Sequence, residues 1–271
     1  MNRTNTLRHL RHPAAGILAV LVAGAVGSVA TSCGRASAEV SQTEALPADH
    51  ADPSSIRELV YALDERYAEV HDYRATFYKR ERVRGRMLER EKILMKFRKP
   101  FSVYFLWLDG KREGQESIYV QGWNNDKIRA HPGSFPDITV NLKPRSSLAM
   151  RDNRHPVTEA GIGNVIKLIT RDVRRGEARP QDGVRFVDHG YETVHGAKSR
   201  CVEAIMPADA ESGYYAHRAK ICVDQRTELP NRVLIWDHTN TLVEDYAFAG
   251  IQVNVGLTDA DFDPDNPAYG F

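Results

Sequence analysis

Six short segments of alternating or apolar character recur at even spacing through the last third of the chain, at 184–188, 198–206, 217–224, 231–237, 242–248 and 251–257. Short turns join most of them. Such a pattern predicts an antiparallel meander, in which each strand pairs with the one before it. A period of two also governs the region after residue 72. Tyr73, Ala75 and Phe77 alternate with Arg74, Thr76 and Tyr78. Beyond a turn at Arg84-Gly85, Ile93, Met95 and Phe97 alternate with Lys92, Lys96 and Arg98. The next run, Phe101 to Leu108, is apolar on both faces, so this strand is predicted to be covered on both sides. Shorter strands are predicted at 116–121, 127–131 and 138–142.

Two segments carry the helical period instead. Ile56, Leu59, Val60, Leu63, Tyr67 and Val70 step by three and four behind a cap at Asp52 or Ser54. Ile162, Val165, Ile166, Ile169 and Val173 form a second stripe, with Thr158 as the predicted cap and Gly176 as the stop. Gly161 and Gly163 lie in its first turn, which implies either fraying or close packing. With 42% hydrophobic and 27% charged residues the chain has enough core to fold, and no disordered, fibrous or polytopic membrane class fits. The expected fold is mainly β (α+β): about eleven antiparallel strands in a single curved sheet wrapped around two principal helices, one domain over 52–271.

The first 32 residues read as an export signal. Arg3, Arg8 and Arg11 precede an uncharged run from Ala14 to Ala30, and no stop-transfer cluster follows. Val29-Ala30-Thr31-Ser32-Cys33-Gly34 resembles a bacterial lipobox, which makes Cys33 the lipidated first residue and 33–51 a flexible tether. Gly34 rather than Asp then favours the outer membrane by resemblance to the enteric sorting rule. The alternative is a soluble periplasmic protein cut after Ala36-Ser37-Ala38. Removing the leader leaves Cys201 and Cys222 as the only other thiols, on neighbouring strands of the meander. In an oxidising compartment that pair reads as a disulfide, with two buried free cysteines as the alternative.

Several motifs together resemble the LolA/LolB-like outer-membrane lipoprotein-sorting superfamily. They are Asp72-Tyr-Arg-Ala-Thr-Phe77, Phe97-Arg-Lys-Pro100 with the aromatic strand behind it, Leu229-Pro-Asn-Arg-Val233, Tyr246-Ala-Phe248, Ile251-Gln-Val-Asn254 and Ala260-Asp-Phe262. Asn153-Arg-His-Pro-Val157 and the terminal Asn266-Pro-Ala-Tyr-Gly-Phe271 look more closely like an exported bacterial family of unknown function (domain of unknown function 1571). The resemblance spans roughly residues 55–271. It implies a half-barrel sheet whose concave face the helices close, leaving a hydrophobic cavity for acyl chains. The extra basic hairpin departs from the sorting proteins, and a lipid anchor would prevent free shuttling.

The candidate cavity wall is Phe101, Tyr104, Phe105 and Trp107 facing Ile162, Val165, Ile166 and Ile169; a filled core is the competing reading of the same residues. Residues 78–100 hold ten Lys or Arg against three Glu. Arg80, Arg82, Arg84, Arg86 and Arg90 there suit contact with an anionic lipid surface, or simply a solvated edge-protecting face. Net charge is +1 and the chain is expected to be exported, so nucleic acid is not a predicted partner. Neither a catalytic motif nor a metal-ligand spacing occurs, and Asp259-Ala-Asp-Phe-Asp263 reads as a cap on a terminal turn. The expected function is that of a non-catalytic envelope lipoprotein, without cofactor, binding a lipid or acylated protein. An interaction module that holds another envelope protein is the rival, and a hydrolase with an unrecognised site ranks last.

Overall fold

The structure, a computed structural model, describes residues 53–136 and 138–271. The expected signal peptide, Cys33 and the expected tether lie outside the described residues. Helix α1 (Pro53–Ala68) leads into β1 (Asp72–Val83), β2 (Arg86–Met87), β3 (Glu91–Arg98), β4 (Ser102–Trp107), β5 (Glu116–Val120), β6 (Ile128–His131) and β7 (Val140–Leu142). Helix α2 (Ile162–Ala178) follows, and then β8 (Arg185–Val194), β9 (Ala197–Ile205), β10 (Arg218–Asp224), β11 (Pro230–Trp236) and β12 (Leu242–Val253). All pairings are antiparallel, in the spatial order β7-β6-β5-β4-β3-β1-β12-β11-β10-β9-β8, with the two-residue β2 pairing only to β1. The mainly β architecture with two helices stands as expected. Among the described residues no helix is long and apolar enough to cross a membrane.

Each half of the sheet is a meander, and the first strand joins the last: Tyr73 faces Val253, Phe77 faces Phe248 and Glu81 faces Glu244. The chain therefore leaves the sheet at one edge, β7, and re-enters at the other, β8. The connection through α2 has to travel across one face, and that is why α2 covers it. Buried residues of α1 (Ile56, Val60, Leu63) and α2 (Ile162, Ile166, Val173) share one apolar cluster with Tyr73, Met95, Phe97, Val103, Val202 and Val233 from that face. A strand's alternation sends Tyr104 and Ile118 to the opposite face. There the 3-10 turn Asp259–Phe262 and the C-terminal tail cover them, with Tyr269 stacked on Tyr104 at 4.2 Å. Both faces of β4 are thus covered, as its doubly apolar sequence demands.

Three boundaries differ from the sequence reading. The strands expected at 242–248 and 251–257 are one strand, β12, because the register slips opposite Arg74/Thr76 and absorbs Gly250 at φ +62°. Such a bulge lets pairing continue past a turn-forming residue. Thr158 is not the helix cap; it sits in a 3-10 turn (Val157–Glu159), and α2 begins only after Gly161 at φ +99°. Tyr73 Oη accepts the Ile162 N–H at 3.0 Å there, which satisfies one of the free donors of the first helical turn. Gly176 lies inside α2, where its missing side chain admits Val184. Close packing rather than fraying explains Gly163: a Cβ on it would lie 2.4 Å from the Tyr67 ring of α1.

Candidate ligand cavity

The space between the sheet and α2 is not filled. A cavity of about 660 Å³ lies there, within the size range of small-molecule sites. Its roof is α2, through Val165, Leu168 and Ile169; α1 does not reach it. Its floor takes Ile93, Phe105, Ile128, Ala204, Ala219 and Val233 from strands on both sides of the β1–β12 join. Ile138 and Leu148, both exposed, stand at its rim.

Polarity changes along the two central strands. Their cavity-facing pairs run from Phe77/Phe248 through Lys79/Tyr246 to Glu81/Glu244. Four residues separate Phe77 from Glu81, about 13 Å along a strand. One end of the cavity is therefore hydrocarbon-like and the other carries buried charge, with Glu81 and Glu244 each only 3% exposed.

The charged end is organised by the segment 152–159, which enters from above the strands. Lys79 Nζ donates to Asn153 Oδ1 and lies 3.6 Å from Glu81 and 3.1 Å from Glu91. Arg112 bridges Glu91 at 3.1 Å and Asp152 at 3.3 Å. The Arg154 backbone N–H donates to Glu81 Oε2 at 2.8 Å and its Nε to Glu244 Oε1 at 2.9 Å, while Tyr246 Oη donates to Glu81 Oε1. His155 stands between two carboxylates: Nδ1 is 3.1 Å from Glu159 Oε2 and Nε2 is 3.0 Å from Glu244 Oε1. Tyr215 Oη donates to Glu244 Oε1 at 2.5 Å and lies 2.8 Å from His155 Nε2.

These contacts set the protonation states. Burial disfavours an imidazolium, but hydrogen bonds and charge from Glu244 and Glu159 outweigh it and raise His155 above its ordinary value. Burial likewise pushes the Glu244 carboxyl up, yet His155, Tyr215 and Arg154 hold it below the usual carboxylate range. Desolvation, then the adjacent Glu244, lifts the Tyr215 hydroxyl so that it stays a donor. Both the His155 and the Glu244 shift favour the charged form, so the contact between them is a charge-assisted hydrogen bond. Such a pole can orient the polar end of a ligand whose body lies among Phe77, Ile93 and Phe105.

Four of the eight wall residues expected from sequence reach the cavity: Phe105, Trp107, Val165 and Ile169. Phe101, Ile162 and Ile166 belong to the filled part of the same core. Tyr104, on the covered opposite face, does not come near it. Of the basic hairpin residues, Arg80 donates to Leu88 O, Arg82 to Leu242 O and Gly85 O, and Arg90 pairs with Asp245 at 2.6 Å. Arg84 and Arg86 are exposed at the tip. Cys201 and Cys222 face each other on β9 and β10 and form the disulfide. His189 binds Glu203 at 2.9 Å and His195 stacks on Tyr78 at 4.4 Å, so each histidine has a partner within the sheet.

The charged pole itself was not anticipated. Lys79 and Glu81 sit in a run that reads as a solvated hairpin, yet their odd positions put them on the cavity side with Phe77. The signal was present in Asn153-Arg-His-Pro-Val157, a polar motif directly before a helix.

A family profile described as "Protein of unknown function (DUF1571)" matches residues 70–271. No curated protein matches the sequence. Among solved structures, the fold is similar to the Mycobacterium tuberculosis lipoprotein LppX, at 15% identity and TM-score 0.46, over 79% of this chain and 100% of that one. It is similar to a DUF1329 family protein from Desulfovibrio piger at 14% identity and TM-score 0.38, over 79% and 98% of the two chains. A putative outer membrane lipoprotein-sorting protein domain from Vibrio parahaemolyticus aligns at 12% identity and TM-score 0.35, over 78% and 97%.

Proposed function

This chain belongs to the DUF1571 family, and since that description assigns no activity, we propose from the geometry that it holds an amphiphilic lipid, or the acyl chain of a lipidated protein, without converting it. The observation that carries the reading is the cavity of about 660 Å³ roofed by α2, hydrocarbon-like at Phe77 and Phe248 and charged at Glu81 and Glu244. Removing apolar area from water supplies the affinity, and a polar end fixes orientation. The protein works in the cell envelope, exported by residues 1–32 and anchored through Cys33 in the outer membrane, facing the periplasm. The Cys201–Cys222 disulfide supports an oxidising compartment, and Arg84 and Arg86 at the hairpin tip suit an anionic headgroup surface.

Ala204, half-buried on the cavity floor, gives the test. Ala204→Trp places an indole in the empty space and is expected to abolish uptake of a neutral fluorescent long-chain probe while far-UV circular dichroism stays that of the wild type. Full uptake by the folded variant, or no uptake by delipidated wild-type protein, would refute the cavity as a lipid site. Cys33→Ser is expected to move the protein from the membrane to the soluble fraction.

A further inference from the structure

We infer that the charged end of the cavity is a headgroup site for lipids whose polar end donates hydrogen bonds, an ammonium or a hydroxyl, and that it discriminates against carboxylate and phosphate ends. The inference rests on the lipid-holding reading and names the ligand class for it. Lys79, Arg112 and His155, which line that end, and Arg154 beside it are already committed: Lys79 to Glu81 and Glu91, Arg112 to Glu91 and Asp152, Arg154 and His155 to Glu244. Arg145 at the surface is committed as well, to Glu159 at 2.5 Å. An anionic head entering there would find no unpaired positive charge and would have to displace a carboxylate from one of these pairs, which leaves a buried charge uncompensated.

The open valence is an acceptor. Glu244 lines the cavity and is 3% exposed. Its Oε1 takes all three of the side-chain hydrogen bonds, from Arg154, His155 and Tyr215, and its Oε2 takes none from any described residue. A donor head placed against Oε2 completes the carboxylate at the low-dielectric end of a site, where charge-assisted hydrogen bonds are strongest. Arg151 is the exception to the committed cations; it is exposed where it borders the cavity and has no side-chain partner among the described residues. It is a rim group and not part of the buried end.

The experiment uses delipidated full-length protein loaded with a neutral long-chain fluorescent probe at pH 7, and displaces the probe with three ligands of equal chain length: tetradecylamine, monomyristoylglycerol and myristate. The first two are expected to displace the probe at concentrations about tenfold or more below myristate, the size of effect one charge-assisted hydrogen bond supplies. In Glu244→Gln the gap between tetradecylamine and myristate is expected to shrink by about the same factor. Myristate displacing as well as the amine in wild-type protein overturns the inference, a result readable even if Glu244→Gln fails to fold. So does a gap that survives in a folded Glu244→Gln. If myristate binding is the stronger and falls in Arg151→Gln, the rim and not the buried end reads the head. If the probe never binds, the cavity reading fails first and this inference with it; probe uptake with the wrong head preference sinks the inference alone.

Discussion

Glu81 and Glu244 stand directly opposite each other across the β1–β12 pair, both almost fully buried. Like charges in that relation destabilise a sheet unless something else neutralises them. Lys79, Arg154 and His155 do so here, and two of those three come from the segment just before α2. The paired glutamates are therefore what fastens the connection between the two sheet edges to the sheet's centre.

His155→Ala is expected to cost about 3 kcal/mol, the usual size for breaking a buried charge pair on one side. The sign of its pH dependence follows from the direction of each shift. His155 is raised in the folded protein, so its contribution is complete below about pH 6.5 and is lost as pH rises through the higher folded value. Glu244 is lowered, so its contribution is complete above about pH 4.3 and is lost as pH falls through the lower folded value. Thermal unfolding between pH 5 and 9 should show the two proteins converging at the alkaline end. Parallel curves over that interval would show that folding does not raise the His155 pKa.

Gly163→Ala is expected to destabilise the protein despite alanine's better helix propensity. The added Cβ would stand 2.4 Å from the Tyr67 ring, so α1 and α2 must part or the ring must turn. Overpacking of this kind costs about 1–3 kcal/mol against about 1 kcal/mol gained in the helix. Combining it with Tyr67→Leu should recover most of the loss in urea titrations; two additive losses would place the strain elsewhere.

Replacing both Cys201 and Cys222 with alanine should lower stability by about 3 kcal/mol, the chain-entropy value for the loop of 21 residues that the bond closes. The strands pair directly at these two positions, so the fold should persist under reduction. A reduced wild-type protein with an unchanged melting temperature would mean that the bond constrains nothing in the unfolded chain.

Truncation after Leu257 removes Phe262, Tyr269 and Phe271 and uncovers Tyr104 and Ile118. It also strands Lys96, which now binds Asp261 at 2.8 Å and Tyr269 at 2.9 Å. The shortened chain is expected to bind a hydrophobic dye strongly and to aggregate at concentrations where the full chain stays monodisperse. Tyr269→Ala alone should cost about 1–3 kcal/mol through the lost stack and burial.

The strands and both helices were legible because period two and period 3.6 are written in side chains that must face a core. The bulge in β12 was not, since Gly250 looks like a turn until a partner strand shows that pairing continues. Phe105 and Trp107 could be placed on the cavity, but a run apolar on both faces carries little mark of which face is which, and so Tyr104 was assigned with them. The charged pole was hidden for a different reason. Lys79 and Glu81 have the composition of a solvated strand, and only the arrival of Arg154, 73 residues beyond Glu81, and of His155 makes their burial tolerable. Long-range compensation of charge leaves no local period to read.

The pairing of β1 with β12 has a consequence for the order in which this molecule can form. The earliest strand waits for nearly the whole polypeptide before it gains its second neighbour, and no half of the sheet has a finished middle without the other. Contacts this distant along the chain slow folding. The architecture cannot lock until its closing strand, β12, has been delivered.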